Sequence, residues 1–172
     1  MLSFITRRDY RVMQRANKWP APKWVRLWAL YATRAGDGWL WCLIGLGILL
    51  LGDEDRFAVL GASGLAAVLS VLSFMALKHL TGRRRPCSLE PHCWATLLPP
   101  DRFSFPSGHT MTAFAITTAT CLFYPFLLPG LLFCALSIAT SRILLGMHFL
   151  SDVVAGLTIG TGLGYLAYLA FS

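Results

Sequence analysis

The chain has 172 residues, 56% of them hydrophobic and 13% charged, with a mean hydropathy of +0.60. That balance excludes an ordinary soluble domain. The formal net charge of +7 does not argue for nucleic acid, because the Lys/Arg excess lies mostly beside apolar segments, where it serves topology and lipid contact.

The first 34 residues hold eight Lys/Arg (Arg7, Arg8, Arg11, Arg15, Lys18, Lys23, Arg26, Arg34) against one acid, Asp9, interleaved with Trp19, Trp24 and Trp28. This composition predicts a segment lying on anionic headgroups, and the apolar run of a cleavable signal peptide is missing after the basic start. Further on, Phe57 to Leu77 is 21 residues without a charge, Phe103 to Ser141 is 39 and Val153 to Ser172 is 20. About 20 apolar residues span a bilayer. Pro125 and Pro129 break the longest run into two helices joined by a tight turn, and Trp39 to Gly52, extended back toward Ala35, gives one more. The expected fold is an all-α polytopic bundle of five spanning helices, over 35–52, 57–79, 108–124, 128–145 and 149–171. It forms a single domain, 1–172, with an interfacial segment over 1–34.

Charge placement carries the chemistry. After Arg102 the chain bears two formal charges in 70 residues, Arg142 and Asp152. Ionisable groups at membrane depth are costly, and are therefore paired, near helix ends, or functional. The helix count brings these two, with His109 and His148, to the same side as Lys78 and Gly82-Arg83-Arg84-Arg85-Pro86. Lys78, Arg85 and Arg142 outnumber a single carboxylate, and guanidinium forks match phosphate oxygens. Pro106-Ser107-Gly108-His109 predicts a helix start whose free N–H groups also favour an anion, with a hydroxyl from Ser107 and close backbone approach at Gly108. His148 and Asp152, four apart, are expected one turn from each other on a helix, the carboxylate fixing the tautomer of a nucleophilic imidazole. His109 is then the acid toward the leaving oxygen and the base that activates water. The scheme uses no metal and no cofactor.

These residues form a three-part pattern: Lys78, six residues, Arg85-Pro86; Pro106-Ser107-Gly108-His109; and Ser141-Arg142, five residues, His148, three residues, Asp152. In this the chain resembles the phosphatidic acid phosphatase type 2 superfamily, over residues 78–152. The resemblance implies Lys78, Arg85, Ser107, Gly108 and Arg142 as phosphate ligands, His109 as acid, His148 as nucleophile forming a phosphohistidine, and Asp152 as its partner. With five spans where many membrane members have six, the chain is similar to the short bacterial type that includes undecaprenyl-diphosphate phosphatases.

The resemblance implies a lipid phosphatase in a bacterial inner membrane, acting on undecaprenyl diphosphate, phosphatidic acid or phosphatidylglycerophosphate. A phosphotransferase using the same phosphohistidine, and a non-catalytic lipid-phosphate binding or transport protein, are the alternatives. Arg83 and Arg84 read equally well as a topogenic cluster. His79 and His92 read as polar loop or lining residues, and Gly156, Gly160 and Gly164 as a small-residue packing ridge. Trp94, Leu97, Leu98 and Phe103 read as interfacial anchors or tail contacts. Cys42, Cys121 and Cys134 read as small buried residues, while Cys87 and Cys93 could bridge only on an oxidising side. Sidedness is divided: the basic N-terminus argues for a cytoplasmic site, whereas the resemblance favours the outer face.

Overall fold

In a computed structural model, residues 2–89 and 101–172 are described, with side chains from Arg7 onward. The architecture is an all-α bundle: α1 (Leu2–Lys18), α2 (Lys23–Ala35), α3 (Trp39–Leu51), α4 (Arg56–Thr81), the single turn α5 (Pro86–Leu89), α6 (Gly108–Phe123), α7 (Leu128–Leu144) and α8 (Leu150–Leu169). His92, Cys93, Trp94, Leu97 and Leu98 lie outside the described residues, and with them the Cys87–Cys93 pairing.

The amphipathic α1 buries Asp9, Met13 and Ala16, at helical spacing, and exposes Arg7, Arg8, Arg11, Arg15 and Lys18. In α2, Val25, Ala29 and Thr33 are buried at intervals of one turn, with Val25 and Ala29 packed against Leu145 and Met147 beyond α7. A turn at Gly36-Asp37-Gly38 then bends the chain by 63° into α3. Gly38 takes a φ of 119°, which a side chain resists.

By length and composition, α4, the Pro125–Leu144 unit containing α7, and α8 can each cross a membrane, and the bent pair α2–α3 makes a fourth span if counted as one. The expected span over 108–124 is the 16-residue α6, too short to qualify by length. Most of its residues are buried, and it runs through the centre of the bundle. Pro125 opens a 3₁₀ turn, so the break expected in the longest apolar run is present. Cys42 departs from expectation: it is exposed, on the short apolar helix α3.

The closest helix contact is between α6 and α8, and glycine makes it possible. A Cβ at Gly156, Gly160 or Gly164 would lie 2.7, 2.3 or 2.3 Å from the carbonyl oxygens of Ser107, Met111 and Ala115 respectively. Three successive turns of α8 thus rest on the backbone of α6, and Ala62, Ala66, Ala115, Ala119 and Ala167 form a small-residue core where α4 joins them. Gly160→Ala is expected to lower stability by about 1–3 kcal/mol, since α6 and α8 must part. Gly162→Ala, with nothing within 4 Å, is expected to change little; thermal unfolding of both variants in detergent checks the contrast.

Candidate active site

One end of the bundle collects the polar residues. Gly82, in the left-handed conformation at φ 57°, closes α4 through an N–H to the Lys78 carbonyl at 3.1 Å. The strand-like segment beyond it runs alongside residues 101–105: Arg84 bridges Phe103, and the Ser104 N–H donates to the Arg83 carbonyl at 2.7 Å. This pairing sets Arg85 beneath the loop between α7 and α8. Arg85 is buried and donates through Nε to the Asp101 carbonyl (2.9 Å), through Nη2 to the Asp101 carboxylate (2.9 Å), and through Nη1 to the Met147 carbonyl (3.0 Å) and His148 Nε2 (3.1 Å).

His148 is 2% exposed. It precedes α8, which begins at Leu150, so His148 and Asp152 do not share a helix face as the spacing predicts. Nor does Asp152 hold the imidazole: Nδ1 donates to the Ser104 carbonyl at 2.7 Å, while the nearest Asp152 oxygen is 3.7 Å away. A backbone carbonyl therefore sets the tautomer and leaves the lone pair on Nε2, the nitrogen that meets Arg85. Asp152 instead caps α8, accepting the Phe149 N–H at 2.8 Å, and pairs with Arg83 at 2.7 Å.

Arg83 was ambiguous from sequence and proves to be a central connector. Its guanidinium pairs with Asp152 and, at 2.6 Å, with the buried Asp9 of α1, and it lies 4.3 Å over the Phe149 ring. Asp9 also accepts from the Ser151 N–H (3.0 Å) and hydroxyl (2.6 Å). The N-terminal helix is thereby fastened to the start of α8 at the site. Composition gave no signal for this, since Asp9 reads as a lone acid in a basic tract.

The cations are not without carboxylate partners. Asp101 holds Lys78 at 2.6 Å and Arg85 at 2.9 Å. Burial works to raise the Asp101 carboxyl, but hydrogen bonds from Lys78 and Arg85 outweigh it and hold the group below the ordinary carboxylate range. Arg142 differs: it is 3% exposed, it donates to Thr33 Oγ1, its Nε has no hydrogen-bond partner, and it makes no ion pair among the described residues. Its backbone carbonyl accepts the N–H groups of both Met147 and His148 at 3.1 Å, so the turn after α7 folds back onto it.

Ser107 is fully buried, shares a hydrogen bond with Thr110 at 2.9 Å and gives its N–H to the Asp152 carbonyl at 3.0 Å. At Gly108 a Cβ would stand 3.1 Å from the Phe74 ring, so packing on α4 demands a glycine there as well. His109, in the first turn of α6, meets Asp37 at 2.8 Å, a contact absent from the sequence reading. Behind it, between α2, α3 and α7, lies an apolar groove of about 390 Å³ whose lining includes Trp28, Tyr31, Trp39, Phe133 and Ile138, with Arg34 among them. His79 packs edge-on against Phe103, away from these contacts.

A sequence model described as the PAP2 superfamily matches residues 57–172. The chain belongs to the PAP2 superfamily. It is 32% identical over 109 residues to a lipid A 1-phosphatase of Rhizobium johnstonii, a match covering 61% of this chain and 45% of that protein. It is 35% identical over 133 residues to a decaprenylphosphoryl-5-phosphoribose phosphatase of Mycobacterium tuberculosis, covering 74% and 68%. The chain thus spans under half the length of the first of these relatives. Among solved PAP2 structures, it aligns with a transmembrane phosphatidylglycerolphosphate phosphatase of Bacillus subtilis at a TM-score of 0.74 and 26% identity, covering 95% of this chain and 84% of that one. It aligns with LpxE of Aquifex aeolicus at 0.76 and 25%, covering 92% and 93%. The PAP2 match and the spanning helices make the chain a membrane protein.

Burial pushes the His148 imidazole well below its usual range, and Arg142, Arg85 and Lys78 push the same way against the Ser104 carbonyl. The unfolded chain, with an imidazole near a pKa of about 6.5, takes up a proton that the folded site refuses, so stability falls as pH drops through that value. Thermal unfolding between pH 7.5 and 5 should show a declining Tm in the natural chain and a flatter profile in His148→Gln.

Proposed function

We propose that the chain is a membrane lipid phosphatase that removes a phosphate through a phosphohistidine on His148. The observation that carries this reading is Arg142: a buried guanidinium with an unpartnered Nε, beside a buried imidazole whose Nε2 keeps its lone pair. Such a charge calls for an anion, and the phosphoryl oxygens are a planar match.

In the proposed reaction His148 Nε2 attacks phosphorus as the bond to the lipid oxygen breaks, its electron pair leaving with that oxygen and a proton passing to it from His109. Water then attacks the phosphohistidine. Its proton goes to His109, the N–P bond returns its electrons to Nε2, and inorganic phosphate departs. Lys78, Arg85 and Arg142 face the three phosphoryl oxygens, and the Ser107 hydroxyl with the N–H groups opening α6 at Gly108 completes the cradle. The Asp101 carboxylate, which now holds Lys78 and Arg85, gives way to the phosphate. Asp152 acts through Arg83 and the cap on Phe149, positioning the nucleophile's loop without touching its ring.

The apolar groove supports a lipid as the leaving group. Its lining residue Ile138 crowds the space above Gly36 together with His109, which places the groove next to the general acid of this scheme. Polyprenyl diphosphate, phosphatidic acid and phosphatidylglycerophosphate all present a phosphate on such a chain, and the short-type resemblance ranks the first of these highest. A panel of the three, scored by released phosphate, selects among them.

His148→Ala should retain binding of inorganic phosphate and lose hydrolysis by at least about a thousandfold, and radiolabelled lipid phosphate should leave an acid-labile phosphoenzyme in the natural chain only. Full hydrolysis by His148→Ala refutes the mechanism, and loss of activity in a strong chelator refutes its metal-free form.

The reading assigns the site to the outer face of a bacterial inner membrane. The proposed cradle would account for Lys78, Arg85 and Arg142, and Arg83 is paired with Asp9 and Asp152, which lessens the opposing basic count. The chain leaves the site at α8 and ends at the opposite pole, where Phe171 packs on Gly61. A green fluorescent protein fused after Ser172 should therefore fluoresce in the cytoplasm, and a periplasmic C-terminus overturns the assignment.

A further inference from the structure

His109 has two ring nitrogens, and one is already engaged. Its Nε2 lies 2.8 Å from Asp37 Oδ1, and the carboxylate comes from the turn between α2 and α3, 72 positions away in the chain. The turn is shaped for this approach. A Cβ at Gly36 would stand 2.8 Å from His109 Cδ2 and 3.0 Å from Ile138, so only glycine lets the backbone lie this close to the imidazole. Gly38 follows with its φ of 119°. Two glycines thus flank one acid, Gly36 by its close contact and Gly38 by its backbone conformation, and that acid meets the histidine that must gain and lose a proton. The Asp37 N–H closes α2 on the Arg34 carbonyl at 3.0 Å, while its largely exposed carboxylate makes no other hydrogen bond or ion pair among the described residues.

We infer that Asp37 is a positioning residue for general-acid catalysis, fixing the His109 ring through Nε2 and stabilising its protonated form, so that Nδ1 delivers the proton to the departing lipid oxygen. This rests on the phosphohistidine reading above and adds a residue to it. The charges facing His109 are Asp37 from the turn, Arg142 from α7 and Lys78 from α4. Burial opposes protonation most, and the two cations oppose it as well; Asp37 is the one that favours it. Without it, the acid would sit among positive charges alone. In the first step the proton leaves His109 as the phosphorus–oxygen bond breaks, the bond pair going to the oxygen. In the second, the proton of water restores the imidazolium, which Asp37 again holds.

The test separates a role in proton delivery from one in structure. An alkyl phosphate such as dioctanoyl phosphatidic acid needs its leaving oxygen protonated, whereas 4-nitrophenyl phosphate releases a stable phenolate. For each, kcat/KM reports only steps up to departure of that group. Asp37→Asn should lower kcat/KM for the lipid by roughly 10–100-fold and for the aryl ester by less than about threefold. The alkaline limb of the lipid profile should move to lower pH, because an imidazolium stripped of its carboxylate loses its proton sooner. Asp37→Glu should recover part of both effects.

Equal losses on the two substrates, or an alkaline limb that stays in place, overturn the inference. The pH measurement uses the lipid alone and decides the matter whatever the aryl turnover. His109→Ala distinguishes the two levels of failure. If it lacks the leaving-group preference, the acid assignment itself falls. If it shows the preference and Asp37→Asn does not, only the role of Asp37 falls.

Discussion

The site depends on how closely α8 lies against α6. Gly156, Gly160 and Gly164 remove the side chains that would hold the helices apart, so carbonyls at Ser107, Met111 and Ala115 touch α8 directly. That contact sets the register at the site end, where the Ser107 N–H reaches the Asp152 carbonyl. The segment that opens α6, with His109, and the loop that enters α8, with His148, are thereby joined by backbone. Residues 39 apart in sequence keep a fixed relation because two rigid helices determine it, as a site requiring sub-ångström placement demands.

The second constraint is charge in a medium that resists it. Arg85 and Arg142 are nearly sealed from solvent, as are Asp9 and Asp152. Most of this charge is balanced in pairs: Arg83 with Asp9 and Asp152, Arg85 and Lys78 with Asp101. Among the described residues, Arg142 is the buried cation left to a hydroxyl, Thr33, with one nitrogen unmet. A buried unpaired cation is among the more destabilising features a fold can retain. The proposed phosphate would relieve it, bringing more charge than the single carboxylate that Lys78 and Arg85 now share.

Much of this was legible from the residues. The spans at α4 and α8 followed from uncharged windows, the helix break from Pro125 and Pro129, and the gathering of polar residues at one bundle end from the rarity of charge after Arg102. What sequence could not show was pairing across distance. A four-residue interval suggested that Asp152 holds His148, but α8 starts two residues after the histidine, and the Ser104 carbonyl takes the ring instead. Backbone acceptors have no residue type and leave no trace in a pattern. Asp9, Asp37 and Asp101 were missed or set aside for the opposite reason: each is an ordinary acid in a polar stretch, and only the fold brings it to Arg83, His109 or Lys78. The short α6 also escapes a length criterion, because burial by its neighbours, and not lipid contact along its own length, sustains it.

The two histidines are treated differently, and the difference matches what each must do in the proposed chemistry. His148 is enclosed, with the Ser104 carbonyl on one nitrogen and the Arg85 guanidinium on the other. A nucleophile benefits from that, since its lone pair must be present on every encounter and its ring must not turn. His109 is partly open, and its neighbour Asp37 is largely open. A group that alternates between acid and base gains from contact with solvent, through which protons enter and leave between half-reactions. The same bundle end therefore presents one imidazole to an enclosed, fixed environment and the other to a partly open one beside a carboxylate. The turn at Gly36 and Gly38 is what brings the titratable carboxylate within reach. Because that turn also bends α2 into α3, the apolar groove and the carboxylate that meets His109 share one structural origin: both arise where the chain breaks between α2 and α3.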